Sequence, residues 1–108
     1  MDVRAFRALV NAACGELNLS ETPELLSQPD GTLIASFVVG DIPIVMNYSP
    51  KYSGDRVHIF CHFGRYPEGA DGETILRRLL ELNLVFYSDN APTFMCDPIG
   101  GGVMLGYG

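Results

Sequence analysis

The stretch His58-Ile59-Phe60-Cys61-His62 puts two imidazoles and a thiol within five residues. Two chemistries suggest themselves, a metal site on the histidines and a Cys–His nucleophile. Both depend on the backbone beneath them. The surrounding run, residues 55 to 63, alternates apolar and polar residues as a strand does. On a strand, His58 and His62 stand about 13 Å apart. Zinc holds its nitrogen ligands at about 2.1 Å, so the pair alone cannot share one ion. Adjacent strand residues point to opposite faces, so the Cys61 thiol does not meet the His62 imidazole. These three residues are expected to form neither a metal site nor a catalytic set. The Ile99-Gly100-Gly101-Gly102 run resembles a phosphate loop in composition only. Phosphate-cradling loops lead into a helix, and here a strand-like run follows with no lysine after Lys51. It reads as a hairpin turn. Glu68, Asp71 and Glu73 read as capping and solvated acids. No GxSxG, HExxH or EF-hand pattern occurs. No catalytic residue, cofactor or metal is expected.

The elements that position these residues follow from periodicity. Residues 2–17 read as a helix, with Val3, Phe6, Leu9, Val10, Ala13, Cys14 and Leu17 inside an arc of roughly 140°. Asp2 is placed to cap its start. Ser20, Thr22 and Pro23, then Pro29-Asp30-Gly31, read as a loop and a turn. Three strands follow at 32–39, 42–49 and 55–63. The short links between them favour antiparallel hairpins. Residues 65–72 read as a loop. A second helix includes Ile75–Tyr87, with Asp71 or Gly72 near its cap, and ends at Asp89-Asn90-Ala91-Pro92. Strands at 93–97 and 102–107 close the chain. The expectation is one α+β domain over residues 1–108, ordered α-β-β-β-α-β-β, with a twisted, five-stranded antiparallel sheet packed by helices.

Composition bounds the function. The chain has 108 residues, 47% apolar and 19% charged, which is globular rather than disordered composition. Its net charge of −6 and pI near 4.6 repel phosphate backbones and anionic headgroups, so neither nucleic acid nor membrane is expected as a partner. Cys14, Cys61 and Cys96 are odd in number and widely spaced, the pattern of reduced cytosolic thiols. No apolar run reaches the roughly 18 residues of a membrane span, and Met1–Val10 does not read as a signal peptide.

The second helix carries a surplus of apolar side chains. Ile75, Leu79, Leu82 and Phe86 form one stripe. Leu76, Leu80, Leu84 and Tyr87 form another beside it, with Asn83 between. Together they cover roughly 200° of the circumference, against about 100° for one sheet contact. Either the helix is buried deep in its own domain, or its second cover is another subunit. Two helices and one sheet offer little internal cover, which favours a twofold dimer. Its expected interface is Leu76, Leu80, Asn83, Leu84 and Tyr87. The sheet repeats the pattern. Leu33, Ala35, Phe37 and Val39 share one face, yet the opposite face holds Ile34, Val38, Val45 and Phe60. Such a cluster suits an extended polypeptide.

The run LLELNL, a short loop, TFMCD, a glycine turn and GVMLGY resembles the second half of the class I type III secretion chaperones, the Tir-chaperone family. The first half is similar too: a helix, three strands, and a loop of the FGRYPEGADGE kind before the second helix. The resemblance covers nearly the whole chain and rests mostly on hydrophobic pattern. It implies a non-catalytic homodimer in the bacterial cytosol. Such a protein binds the unstructured N-terminal segment of a secreted effector and keeps it soluble and competent for secretion. Family members commonly add a third helix after the last strand, and this sequence stops at Gly108. Two other readings stand beside this one: an interaction domain of the same fold with no secretion role, and a small enzyme using Cys61, His58 or His62.

Overall fold

The computed structural model describes residues 1–108 except Glu21, Thr22, Ser53, Asp55 and Asn90. The expected loop mark at Thr22, the start of the third strand at Asp55 and the helix stop at Asn90 lie outside the described residues. Eight elements follow one another: α1 (Val3–Glu16), β1 (Glu24–Ser27), β2 (Leu33–Val39), β3 (Ile42–Tyr48), β4 (Val57–Arg65), α2 (Ala70–Val85), β5 (Thr93–Cys96) and β6 (Gly102–Tyr107). The architecture is α+β, with strand order β1-β2-β3-β4-β6-β5. The β1–β2, β2–β3 and β5–β6 pairs are antiparallel. The sheet therefore has six strands, not five.

The added strand is β1, in a stretch whose punctuation reads as loop. Its four residues pair from Glu24↔Ser36 to Ser27↔Leu33. Pro29-Asp30-Gly31 is thus a hairpin turn. Gln28 N–H donates to the Thr32 carbonyl at 2.9 Å, and Gly31 takes φ +93°, the conformation a three-residue hairpin loop demands of its last residue. Thr32 N–H donates to Asp30 Oδ1 at 2.9 Å. That bond, helped by Lys51, holds the exposed Asp30 carboxyl below its ordinary pKa. A four-residue strand has too few positions to show a period, so only its pairing with β2 defines it.

The chain divides within β4 into two compact units, Met1–Ile59 and Phe60–Gly108. In the first, Asp2 caps α1 through a 2.8 Å bond from Ala5 N–H. The helix ends in a Schellman motif. Asn18 adopts φ +55°, its N–H bonds the Gly15 carbonyl, and Leu19 N–H bonds the Cys14 carbonyl. Phe6, Val10 and Cys14, each four residues apart, are the buried residues of α1. They pack with Leu33 and Ala35 of β2 and Met46 and Tyr48 of β3. The register pairs Leu33 with Tyr48 and Ala35 with Met46, so one sheet face is the floor of this core. Val3 and Leu9, toward the margins of the expected arc, are exposed, and so is Leu17, which lies past the end of α1 as its C-cap.

In the second unit, α2 begins at Ala70 with Gly69 as its cap, at φ +83°, rather than at Asp71 or Gly72. Asp71 and Glu73 lie in its first turn, where the helix dipole favours acids. Gly72 is the buried residue of this helix, and a Cβ there would collide with the Pro67 carbonyl. The β5–β6 link is a hairpin turn as expected. Gly101 N–H and the Asp97 carbonyl bond at 2.8 Å, Ile99 N–H bonds Asp97 Oδ1 at 2.9 Å, and Gly101 takes φ +69°.

Candidate functional site

The cysteines and histidines sit in separate surroundings. His58 stacks on Tyr52, ring centroids 4.1 Å apart. Cys14 is buried in the α1 core, Cys61 is half-buried on β4, and Cys96 is exposed at the end of β5. Among the described residues no group of three or more His, Cys, Asp or Glu side chains could hold a metal ion. No helix of the described residues is long and apolar enough to cross a membrane.

Three of the four residues expected to bind a polypeptide share one face of the first unit. Ile34 pairs with Asn47, Ser36 with Val45, and Val38 with Pro43, all on the side away from α1. Leu26 of β1 joins the row through its pairing with Ile34. Leu26 and Val38 are exposed, 62% and 49%, whereas Ile34 and Val45 are half-buried. Asn47 Oδ1 is buried with no hydrogen-bond partner among the described residues. Phe60 belongs to the second unit. Its ring and Met95 occupy the space over Gly106, where a Cβ would come within 3.3 Å of the ring. Phe60 is half-buried, so it supports β6 as well as presenting an apolar edge.

The second unit explains the two stripes of α2. Leu76 and Leu79 are half-buried, and with Leu80, Asn83, Phe94, Met95 and Cys96 they line a cleft of about 200 Å³ between α2 and β5. On the other side of Leu79 and Phe94 lies a cavity of about 430 Å³. Asn83, expected at a dimer interface, is engaged within its own chain. Phe94 N–H donates to Asn83 Oδ1 at 2.8 Å, and Asn83 Nδ2 donates to the Phe94 carbonyl at 3.1 Å. The carboxamide thus supplies both bonds that a neighbouring strand residue would give, at a strand that ends the sheet order. Sequence reasoning missed this role. A single Asn amid leucines on the sheet side of a helix was the available sign, since a shielded amide needs partners. The rest of the second stripe is open to solvent: Leu80 is 69%, Leu84 80% and Tyr87 84% exposed, with Val85 and Phe86 beside them. Phe63 approaches Phe94 at 6.5 Å between centroids, in a tilted pair.

Two apolar surfaces are thus exposed among the described residues: one sheet face with branched side chains and one side of α2. Comparison of the chain with family models, with curated proteins and with solved structures returns no match.

Proposed function

We propose that the protein is a non-catalytic, homodimeric chaperone of the class I type III secretion kind, serving the disordered N-terminal segment of a secreted effector in the bacterial cytosol. The observation that carries this reading is the apolar side of α2, where Leu80, Leu84 and Tyr87 are largely exposed. A contiguous exposed stripe of this kind marks an interaction surface. The secretion role rests on the resemblance of LLELNL, TFMCD and GVMLGY to that family. The outer face of β1–β3 takes the polypeptide. Leu26, Ile34, Val38 and Val45 give shallow apolar seats, and β1, the first strand of the sheet order, offers main-chain groups for an added strand. No cofactor or nucleotide enters the reading.

The test is capture from native cytosol followed by mapping. A single dominant secreted protein is expected, bound through an N-terminal segment that is disordered when free. Val38→Asp should weaken that segment at least tenfold without shifting the melting temperature. Val38, half exposed, is a cleaner probe than Phe60, which also supports β6. Unchanged binding by Val38→Asp places the polypeptide elsewhere, and capture of no secreted protein sinks the chaperone reading.

A further inference from the structure

The cavity of about 430 Å³ beside α2 lies outside both surfaces just described. It is an open groove lined by Phe63, Ile75, Leu79, Phe94 and Val103, with Arg65 and Tyr66 also in its lining. Those two side chains meet over one spot: a Cβ on Gly101 would lie 3.6 Å from Arg65 Nε and 3.7 Å from Tyr66 Cε1. Among the described residues Arg65 has no ion-pair partner, and the Tyr66 hydroxyl has no hydrogen-bond partner. We propose that this cavity binds a single-chain amphiphile with a carboxylate head, its tail among the apolar walls and its head on Arg65.

The volume falls within the roughly 300–1,000 Å³ of small-molecule pockets, which pair apolar walls with a few orienting polar groups. An unpaired guanidinium in the lining of an apolar trough matches a carboxylate in charge and in fork geometry. A methylene tail needs no hydrogen bonds. A peptide threaded through the same trough would bring backbone N–H and C=O groups that its apolar walls leave unsatisfied, at a free-energy cost. One guanidinium balances the single charge of a carboxylate, whereas a dianion would leave charge unpaired beside apolar walls. The site is independent of the dimer and of the polypeptide face.

Calorimetry with dodecanoate, 1-dodecanol and dodecyltrimethylammonium, all below their micellar concentrations, tests the assignment. Dodecanoate should bind one per chain, at least fivefold more tightly than the cation. Arg65→Gln should weaken dodecanoate at least fivefold and leave 1-dodecanol unchanged, and Arg65→Lys should restore part of the loss. Ile75→Trp, at a partly exposed wall position, should reduce binding of dodecanoate and dodecanol together while the circular dichroism melt stays in place. The proposal is overturned if dodecanoate fails to saturate below about 1 mM. It is equally overturned by dodecanoate binding that Arg65→Gln leaves intact or that Ile75→Trp leaves intact.

Discussion

A methyl group added at Gly72 meets two opposing terms. In a helix, alanine is favoured over glycine by about 1 kcal/mol. Against that, the new Cβ would overlap the Pro67 carbonyl and lie 3.1 Å from Tyr66 Cδ2. The obstacle is backbone, which cannot rotate aside as a side-chain tip can, and overpacking of this kind costs about 1–3 kcal/mol. The steric term wins. Gly72→Ala should lower the urea unfolding free energy by up to about 2 kcal/mol. A more stable variant would mean that the Tyr66-Pro67 segment gives way at little cost. Gly106 is the same kind of residue, its missing side chain replaced by Met95 and the Phe60 ring. The sequence marked Gly72 only as a candidate cap and did not mark Gly106, because what each avoids is supplied by other parts of the chain.

At the scale of elements, α2 and β5 are joined by the two bonds between Asn83 and Phe94. Each buried amide bond contributes about 0.5–1.5 kcal/mol, and leaving the Phe94 groups unpaired adds to the loss. Asn83→Leu should therefore destabilise by about 1–3 kcal/mol. It should also speed hydrogen exchange at the Phe94 amide. Asn83→Asp keeps the acceptor for Phe94 N–H but sets a carboxylate against the Phe94 carbonyl, so it should not rescue. A Phe94 amide that stays protected in Asn83→Leu would show that another group closes that edge. The exposed Arg78–Glu81 pair at 3.0 Å contributes only a few tenths of a kcal/mol.

For the whole molecule, the proposed dimer rests on Leu80 and Leu84. Full burial of a leucine gives about 1.5–3 kcal/mol, so these two from each subunit supply about 6–12 kcal/mol. Association costs about 4–15 kcal/mol. The margin is small enough that one pair of leucines decides its sign. Leu76 adds less than its place in the stripe implied, because it is already half-buried above β5. Light scattering should give twice the 11.8 kDa chain mass for the wild type and the single mass for Leu80→Asp. The Leu80→Asp melt should move little, since that side chain is 69% exposed in the single chain. A wild-type monomer at micromolar concentration removes the dimer, and with it the main support for the chaperone reading.

Sequence alone determined the elements with a strong period or a strong stop. The Phe6, Val10, Cys14 spacing with Asp2 ahead of it specified α1, the Gly40-Asp41 break specified the β2–β3 hairpin, and the β6 bounds agree with the pattern. The placing of Ile34 and Val38 on one face follows from the same alternation, because strand side chains have period two, and the hairpin register adds Val45 opposite Ser36. Tertiary structure decided what depends on neighbours far along the chain. It made Glu24–Ser27 a strand by pairing it with β2, and moved the start of α2 back to Ala70. It bonded Asn83 to β5, and it separated the half-buried Leu76 from the exposed Leu80 of the same stripe. A helical wheel gives the direction of each side chain but not what lies in that direction, and burial is a property of the second.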